Sequence, residues 1–391
     1  MPHPAQLLAA ADALVAPFLD DVKALCRVET HSYDQAALDA GLNHVLDLAR
    51  RLLGEPASIE RIDCAPQGDC AVVTYPGTKP GTAVVLAHYD TVWPVGTLAE
   101  WDVVDEPDRL SLPGVFDMKY GLVQGLYALK LLRESGERFP SVVFVFTSDE
   151  EIGSPSSRPI IERVCADADA TLVLEPSGPG GAMKSGRKGI GIVELTTAGV
   201  EAHAGLEPTK GASAIHAMAE LITQSVALAS PEQGTTINVG MIDGGTGSNV
   251  VAGRCRALMD VRVLTADEQA RVDAGLRALR VSDDRVAVHV EPNWNRPPMT
   301  LTEASRPLLE RARAVASELG RELDDITVGG ASDANFVAGL GRPVLCGLGG
   351  EGSGPHARHE RVDPRPSAFR LAFVAGILAG DEPHGQELRT R

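Results

Sequence analysis

The stretch Ser141–Gly153, S-V-V-F-V-F-T-S-D-E-E-I-G, decides the fold. Its five consecutive apolar residues at 142–146 are typical of a fully buried strand in a parallel sheet. The strand is followed by three acids, Asp149, Glu150 and Glu151. Ligands of open α/β sheets bind at the carboxyl ends of strands, and adjacent carboxylates repel one another unless a positive charge lies between them. The stretch therefore predicts either a metal site at a sheet edge or a solvated acidic loop.

Two further predicted strands end in residues that can bind metal. Residues 82–87 (T-A-V-V-L-A) are followed by His88 and Asp90, and the buried strand that begins at residue 170 ends at Glu175. The His-x-Asp pair is consistent with a metal ligand and the carboxylate that orients it, and also with a polar turn after a strand. Three strands that end in such residues at one sheet edge favour the metal site over the solvated loop.

A fourth acid, Asp117, lies in G-V-F-D-M-K-Y-G at 114–121, just ahead of an amphipathic helix predicted over 122–134. An acid in this position either interacts with the positive N-terminal end of the helix or serves as a metal ligand in a loop. The pattern alone leaves both interpretations open.

Size and composition exclude several classes of protein. A chain of 391 residues is too long for one core, so we expect two domains. The net charge of −17 argues against nucleic-acid binding, which depends on Lys and Arg. No apolar run reaches membrane-spanning length, and the N-terminal segment resembles an amphipathic helix more than a signal peptide. We therefore expect a cytoplasmic protein without nucleic-acid or membrane partners.

The six cysteines are scattered and form no C-x-x-C pair. Six cysteines in a chain of this length do not make a disulfide framework, which favours free thiols in a reducing compartment. In an oxidising compartment, Cys64 and Cys70 would be near enough in sequence to form a bridge.

The character of the sequence changes after Gly186. Strands are predicted over 189–198, 235–242, 254–264 and 285–291, and helices over 211–229 and 266–280. The order β-α-β-β-α-β is that of a ferredoxin-like domain, and about 110 residues is a domain's length. We predict an α/β catalytic domain made of residues 1–187 and 297–391, with an inserted ferredoxin-like domain at 188–296.

A glycine loop raises a different possibility. Gly347, Gly349 and Gly352 match G-x-G-x-x-G after a strand, the pattern of dinucleotide-binding enzymes. No helix is predicted to follow, and Pro355 interrupts the segment, so nothing would hold a pyrophosphate. We expect the loop to bring backbone close to a ligand beside His356.

At this point the motifs resemble those of a known family. H-Y-D-T-V, G-V-F-D-M-K-Y-G, T-S-D-E-E-I-G-S, L-E-P-S, E-A-H-A-G and G-P-H-A-R-H-E occur in order over nearly the whole chain. Together they are similar to the co-catalytic di-zinc exopeptidases and deacylases. This family includes glutamate carboxypeptidase, acetylornithine deacetylase and succinyl-diaminopimelate desuccinylase, and D-E-E-x-G-S resembles the glutamate carboxypeptidase branch.

The resemblance implies a mixed-sheet zinc-exopeptidase fold and two Zn²⁺ per subunit, with Co²⁺ or Mn²⁺ as substitutes. His88 and Glu175 would bind one zinc, Glu151 and His356 the other, and Asp117 would bridge both. Glu150 would be the general base that activates a bridging water, and Asp90 would orient His88. The family often has a cis peptide bond after the bridging Asp, here Asp117–Met118.

The inserted domain would be the lid and dimerisation domain. In the family, the histidine that matches His203 reaches the active site of a second subunit, and the positions of Asn249 and Arg262 bind substrate. A guanidinium fork suits a free carboxylate, which implies a small peptide or N-acyl amino acid as substrate. The segment at 329–333, G-G-A-S-D, departs from the glutamate enzyme's pattern, so a preference for glutamate does not follow.

Three alternatives remain open. An acetylornithine or succinyl-diaminopimelate type of deacylase, or a dipeptidase, would use the same metal centre. A non-catalytic metal or amino-acid binding protein would need no general base such as Glu150. A dinucleotide enzyme depends only on the glycine loop.

Overall fold

The structure is a computed structural model that describes residues 4–380. Its helices run over these ranges: α1 Pro4–Arg27, α2 Gln35–Leu53, α3 Tyr120–Glu134, α4 Arg158–Cys165, α5 Ala214–Val226, α6 Ala266–Arg277, α7 Arg306–Glu318, α8 Ala334–Gly339 and α9 Ser367–Ala379. Of the helices in this part of the chain, none is long and apolar enough to cross a membrane.

The strands of the same residues run over these ranges: β1 Ser58–Ile62, β2 Cys70–Tyr75, β3 Thr82–His88, β4 Val104–Glu106, β5 Arg109–Ser111, β6 Ser141–Thr147, β7 Ala170–Val173, β8 Met183–Arg187, β9 Gly189–Ala198, β10 Thr236–Gly244, β11 Arg254–Val263, β12 Ala287–Arg296, β13 Asp325–Val328, β14 Val344–Leu345, β15 Gly352–Ser353 and β16 Arg361–Val362. They form a six-stranded sheet, two four-stranded sheets and the β8–β13 pair.

The chain divides into two compact units. Of the described residues, one unit contains 4–185, 301–327 and 332–380. The other contains residues 186–300 and 328–331. The second unit is thus an insertion between two parts of the first.

The six-stranded sheet organises the first unit, in the order β1-β2-β6-β3-β7-β14. β3 lies between β6 and β7 and is parallel to both, whereas β2 is antiparallel to β6. The sheet is therefore mixed, and the predicted mixed-sheet α/β fold is confirmed. Because β6, β3 and β7 are parallel neighbours, their carboxyl ends meet at one edge of the sheet.

Helix α3 packs on one face of this sheet, and helices α1 and α9 pack against α3. Val73, Val85 and Phe144, from three neighbouring strands, belong to the same buried cluster as these helices. Nearly every residue of α3 and α9 is buried, as expected for helices in the interior of a large domain. The core thus holds the central strands rigidly behind their carboxyl ends.

Two glycines allow close backbone packing at the end of β7. A Cβ on Gly121 of α3 would lie 1.9 Å from the carbonyl oxygen of Leu174, and one on Gly349 would lie 2.3 Å from the same oxygen. The amide of Gly349 also donates to the carbonyl oxygen of Glu175 at 2.9 Å. The backbone just before Glu175 is therefore packed between α3 and the segment around Gly349. Glycine is needed at 121 and 349 because a side chain there would clash with this backbone.

In the second unit, α5 and α6 accompany an antiparallel sheet in the order β10-β11-β9-β12. The elements follow one another as β-α-β-β-α-β. Alternate residues of β9 and β11 are buried, in keeping with one face packed on helices and the other facing outward.

A helix cap and the six cysteines are the remaining local features. Asp34 caps α2 by accepting the amide of Ala37 at 3.0 Å, whereas the Ser32 hydroxyl donates to the Asp90 carboxylate at 2.7 Å. All six cysteines, which lie within residues 4–380, are buried and free. The neighbouring Cys64 thiol and, second, burial raise the pKa of Cys70.

Candidate metal centre

The three strand-end residues predicted as ligands come together at one sheet edge. His88 is the last residue of β3, and Glu175 follows β7 by two residues. Both are buried, with 2% and 7% of their surfaces exposed. Glu150 and Glu151 open a short 3₁₀ turn directly after β6. The His88 Nε2 and Glu175 Oε1 atoms lie 3.5 Å apart.

The Asp117 carboxylate lies between two imidazoles. Its Oδ1 atom is 3.3 Å from Nε2 of His88, and its Oδ2 atom is 3.4 Å from Nε2 of His356. The His356 Nε2 atom is also 2.9 Å from Oε2 of Glu151. The five residues therefore form two groups of donor atoms that share one carboxylate.

These separations suit divalent ions. Donor atoms about 2.0–2.2 Å from one tetrahedral zinc ion are separated by about 3.3–3.6 Å from each other. Among the residues that the structure describes, none forms a hydrogen bond with the buried Oε1 atom of Glu151, which is costly for a carboxylate unless a cation binds it. Imidazole and carboxylate are the ligands of catalytic zinc. The residues present therefore fit a two-metal site.

The backbone is unusual at two of these residues. The Asp117–Met118 peptide bond is cis, as the resemblance implies. His356 has a φ of 59°, in the left-handed region that residues other than glycine rarely adopt. A left-handed backbone at a residue other than glycine persists where the surrounding structure imposes it, most often at functional sites.

Asp90 connects His88 to the acidic turn. Nδ1 of His88 lies 3.1 Å from the Asp90 carbonyl oxygen and 3.3 Å from Oδ1 of its carboxylate. The same carboxylate accepts the amides of Glu150 and Glu151 at 3.3 and 3.2 Å. Its Oδ2 atom accepts the hydroxyl of Ser32 at 2.7 Å. Asp90 thus fixes the imidazole ring and the turn together, as orienting carboxylates do.

Sequence reasoning missed the role of Ser32 because the contact joins residues 58 positions apart. The bridge between His31 and Thr91 and the backbone bonds beside it bring Ser32 to Asp90, and no local sequence pattern indicates this contact.

Glu150 lies close to the same donor atoms. One of its carboxylate oxygens is within 4.8 Å of ligand atoms of His88 and Glu175. A carboxylate at this distance has two possible roles, as a further ligand or as a base beside the metals. Geometry alone does not separate the two.

The charges of the centre shift the pKa values of its members. Asp117 and, second, Glu151 raise the pKa of His356 to about 11. Burial opposes protonation of His88, but Asp117, Asp90 and Glu175 together raise its pKa well above the usual value. Burial and then the charge of Asp117 raise the pKa of Glu151 to about 7. Without metal, protons on the imidazoles provide the positive charge that these carboxylates require.

The predicted substrate residues lie in the second unit. His203 is exposed, and its Nδ1 atom accepts the amides of Gly205 and Leu206, each at 3.1 Å. A neutral imidazole in this arrangement carries its proton on Nε2, which is then a donor. Asn249 is exposed, and its backbone carbonyl oxygen accepts the amide of Ala204 at 2.9 Å.

The guanidinium of Arg262 already donates hydrogen bonds within the protein. Its Nε and Nη2 atoms donate to the Asp260 carboxylate at 2.9 and 3.2 Å, and Nη1 donates to the carbonyl oxygen of Gly329 at 2.9 Å. A substrate carboxylate that used this fork would have to displace Asp260.

Comparison with known proteins identifies the family. The sequence profile of peptidase family M20/M25/M40 matches residues 84–379. The chain belongs to this family. The match covers all the predicted metal-binding residues, and it confirms both the resemblance seen in the motifs and the interpretation of the chain as a metallopeptidase-type hydrolase.

Individual relatives agree with this assignment. Carboxypeptidase G2 from Pseudomonas sp. (strain RS-16) is 29% identical over 363 residues, which cover 90% of this chain and 86% of that protein. Succinyl-diaminopimelate desuccinylase from Pseudomonas syringae pv. syringae (strain B728a) is 30% identical over 310 residues, 73% of this chain and 79% of that protein.

Among solved structures, aminopeptidase PepT from Bacillus cereus ATCC 10987 superposes with a TM-score of 0.78 at 23% identity. The superposition covers 93% of this chain and 98% of that one. At this identity the likeness concerns the fold alone.

Proposed function

We propose that the protein is a zinc metallohydrolase that cleaves an amide bond next to a free carboxylate, as a glutamate-carboxypeptidase-like exopeptidase or N-acyl amino acid hydrolase. The observation that carries this proposal is the Asp117 carboxylate, whose two oxygens lie 3.3 and 3.4 Å from the imidazoles of His88 and His356. Similarity to carboxypeptidase G2 over 90% of the chain supports the substrate class.

Each residue of the centre has a distinct role in this proposal. His88 and Glu175 would hold one Zn²⁺, Glu151 and His356 the other, and Asp117 both. Bound metals of this kind lower the pKa of water and polarise a carbonyl. A carboxylate shared by two dications reduces the repulsion between them. Asp90 would keep the His88 ring turned toward its ion.

Glu150 would move the proton. Its carboxylate would take a proton from the attacking water and deliver it to the leaving amine nitrogen as the amide C–N bond breaks. A positioned acid–base group of this kind contributes about 10²–10⁴-fold to the rate. This role requires that Glu150 not be a ligand, which distinguishes an enzyme from a metal-binding protein with the same fold.

The inserted ferredoxin-like unit would be the lid and dimerisation domain. The Nε2 proton of His203 would donate to the reacting carbonyl oxygen, and Asn249 and Arg262 would bind substrate. Met241 and Ile242 on the edge strand β10 are 63% and 58% exposed, which suits an interface between subunits. The homodimer stays a prediction, which sedimentation velocity tests: a monomer at micromolar concentration would contradict it.

A substrate panel tests the proposed function. Zinc-loaded protein should hydrolyse N-acyl amino acids or short peptides with a free C-terminal carboxylate, and should not turn over the same compounds with that carboxylate amidated. Succinyl-diaminopimelate, N-acetylornithine and free dipeptides in the panel separate the desuccinylase, deacetylase and dipeptidase alternatives. Absence of turnover on every member, with two zinc ions bound per chain, would reject the proposal.

Metal binding should release protons. At pH 8, which is below the His356 pKa of about 11, we expect protons to be released when zinc loads the metal-free protein, about one of them from His356. His88, whose pKa is raised well above its usual value, adds to the release, since zinc requires neutral imidazoles. Calorimetry in buffers of different ionisation enthalpy measures this number.

The raised pKa of His356 determines how zinc affinity depends on pH. A raised folded-state pKa means that protonated His356 stabilises the metal-free protein fully below the unfolded value of 6.5, and that this contribution is lost as the pH rises through about 11. Zinc affinity should therefore increase between these limits. His356→Ala should release about one proton fewer, and release independent of both histidines would contradict the assignment.

A further inference from the structure

Glu360 is a buried acid outside the predicted centre. It follows His356 by four residues and is 0% exposed. Its Oε1 atom accepts the amides of Phe116 and Asp117 at 2.8 and 3.0 Å. Its Oε2 atom accepts the amide of Gly114 at 3.1 Å and the indole Nε1–H of Trp93 at 3.0 Å. One carboxylate therefore satisfies four donors.

Three of these donors belong to the loop that ends at Asp117. Buried backbone amides require partners, and Gly114, Phe116 and Asp117 find theirs in the Glu360 carboxylate. Hydrogen bonds to a charged acceptor are about twice as strong as those between neutral groups. Within residues 4–380, Glu360 has no ion-pair partner, so its four contacts are all N–H donors.

Glu360 is itself firmly anchored. Its carbonyl oxygen accepts the hydroxyl of Ser111 at 2.6 Å, and that hydroxyl accepts the indole N–H of Trp101 at 3.1 Å. Its amide donates to the carbonyl oxygen of Ala357 at 2.8 Å. It therefore ties the segment that carries His356 to the loop that carries Asp117.

We propose that Glu360 is a positioning residue that holds the Asp117 loop by its backbone, so that the Asp117 carboxylate stays between His88 and His356. The inference rests on the proposed function in one respect, the role of Asp117 as a metal ligand. A residue that only supported the fold would change the stability of the metal-free protein and leave its zinc affinity unaltered.

Glu360→Gln tests the proposal with little change in shape. The amide NH₂ would face backbone N–H groups, so the loop would lose about half of its acceptors. We expect zinc affinity, measured by chelator competition, to weaken about tenfold or more, as for other groups that orient metal ligands. Trp93→Phe removes one donor and leaves the three loop contacts, so about a threefold weakening is expected. Glu351→Gln is the matched control, because Glu351 pairs with Arg321 at 2.6 Å, and it should bind zinc as the unaltered protein does.

The Asp117→Asn variant, measured in parallel, separates a failure of the Glu360 proposal from a failure of the proposed metal centre. If Asp117→Asn loses zinc and Glu360→Gln retains unaltered affinity, Glu360 is not a positioning residue although the metal centre stands. If neither variant changes zinc affinity, both proposals fall. Should Glu360→Gln give no folded protein, Trp93→Phe decides, and unchanged zinc affinity in that variant would overturn the inference.

Discussion

Glu150→Gln should reduce kcat about 10²–10⁴-fold while leaving zinc content near two per chain. The substitution keeps the size of the side chain and removes its ability to take a proton. Glu150 lies within 4.8 Å of ligand atoms of His88 and Glu175, so the variant tests directly whether it is a base or a ligand. Steady-state kinetics and metal analysis on the same preparation give the answer.

Glu106→Gln is a suitable control, because Glu106 is an exposed acid of the same unit that pairs with Arg109 at 3.2 Å. It should match the unaltered protein in both measurements. Loss of zinc from Glu150→Gln in parallel with loss of activity would mean that Glu150 is a metal ligand and that another group moves the proton. Unaltered kcat would remove Glu150 from the reaction.

Asp117→Asn should weaken zinc binding by about 100-fold or more and abolish most of the activity. Even residues that only orient metal ligands contribute about 10–100-fold to affinity, and Asp117 would contact both ions. An amide offers one good acceptor in place of two and carries no charge to offset the repulsion between dications. Titration of the metal-free variant with zinc, against a competing chelator, measures the loss.

Asp47→Asn removes an exposed carboxylate that pairs with Arg50 at 3.1 Å in α2, and it should not change zinc affinity. Asp117→Asn also removes the largest contribution to the raised pKa of His356, so that pKa should fall in the metal-free variant. Two tightly bound zinc ions in Asp117→Asn would show that the carboxylate is not shared between them.

Much of the centre could be predicted because it follows strand ends. His88, Glu175 and the Glu150–Glu151 pair each follow a run of buried apolar residues, and parallel strands bring such ends to one edge. Asp117 and His356 follow no such strand, and only the resemblance to a family assigned them as ligands. Which strands are neighbours, and therefore which ends meet, came from the structure.

Contacts between distant residues escaped prediction. Ser32 is hydrogen-bonded to Asp90, 58 positions away, and Glu360 to the amide of Asp117, 243 positions away. Periodic patterns of apolar residues in a sequence do not reveal such pairs. The edge strand β1, S-I-E-R-I, has only two apolar residues and was not predicted. Elements with little buried apolar surface leave little pattern in a sequence.

Strand β12 shows how topology overrides a local signal. Pro292 suggests an end to the strand predicted over 285–291, yet the strand continues to Arg296. β12 lies at the edge of its sheet, and proline is tolerated in edge strands because they bond a neighbouring strand on one side only. The position of a strand within the sheet, which the sequence does not reveal, decides whether a proline is tolerated there.

The most direct test of the metal centre is a crystal structure of the zinc-loaded protein with anomalous data collected at the zinc absorption edge. We predict two strong peaks, one beside His88 and Glu175 and the other beside Glu151 and His356, with an oxygen of Asp117 bound to each. A single peak, or zinc at residues remote from Asp117, would contradict the account.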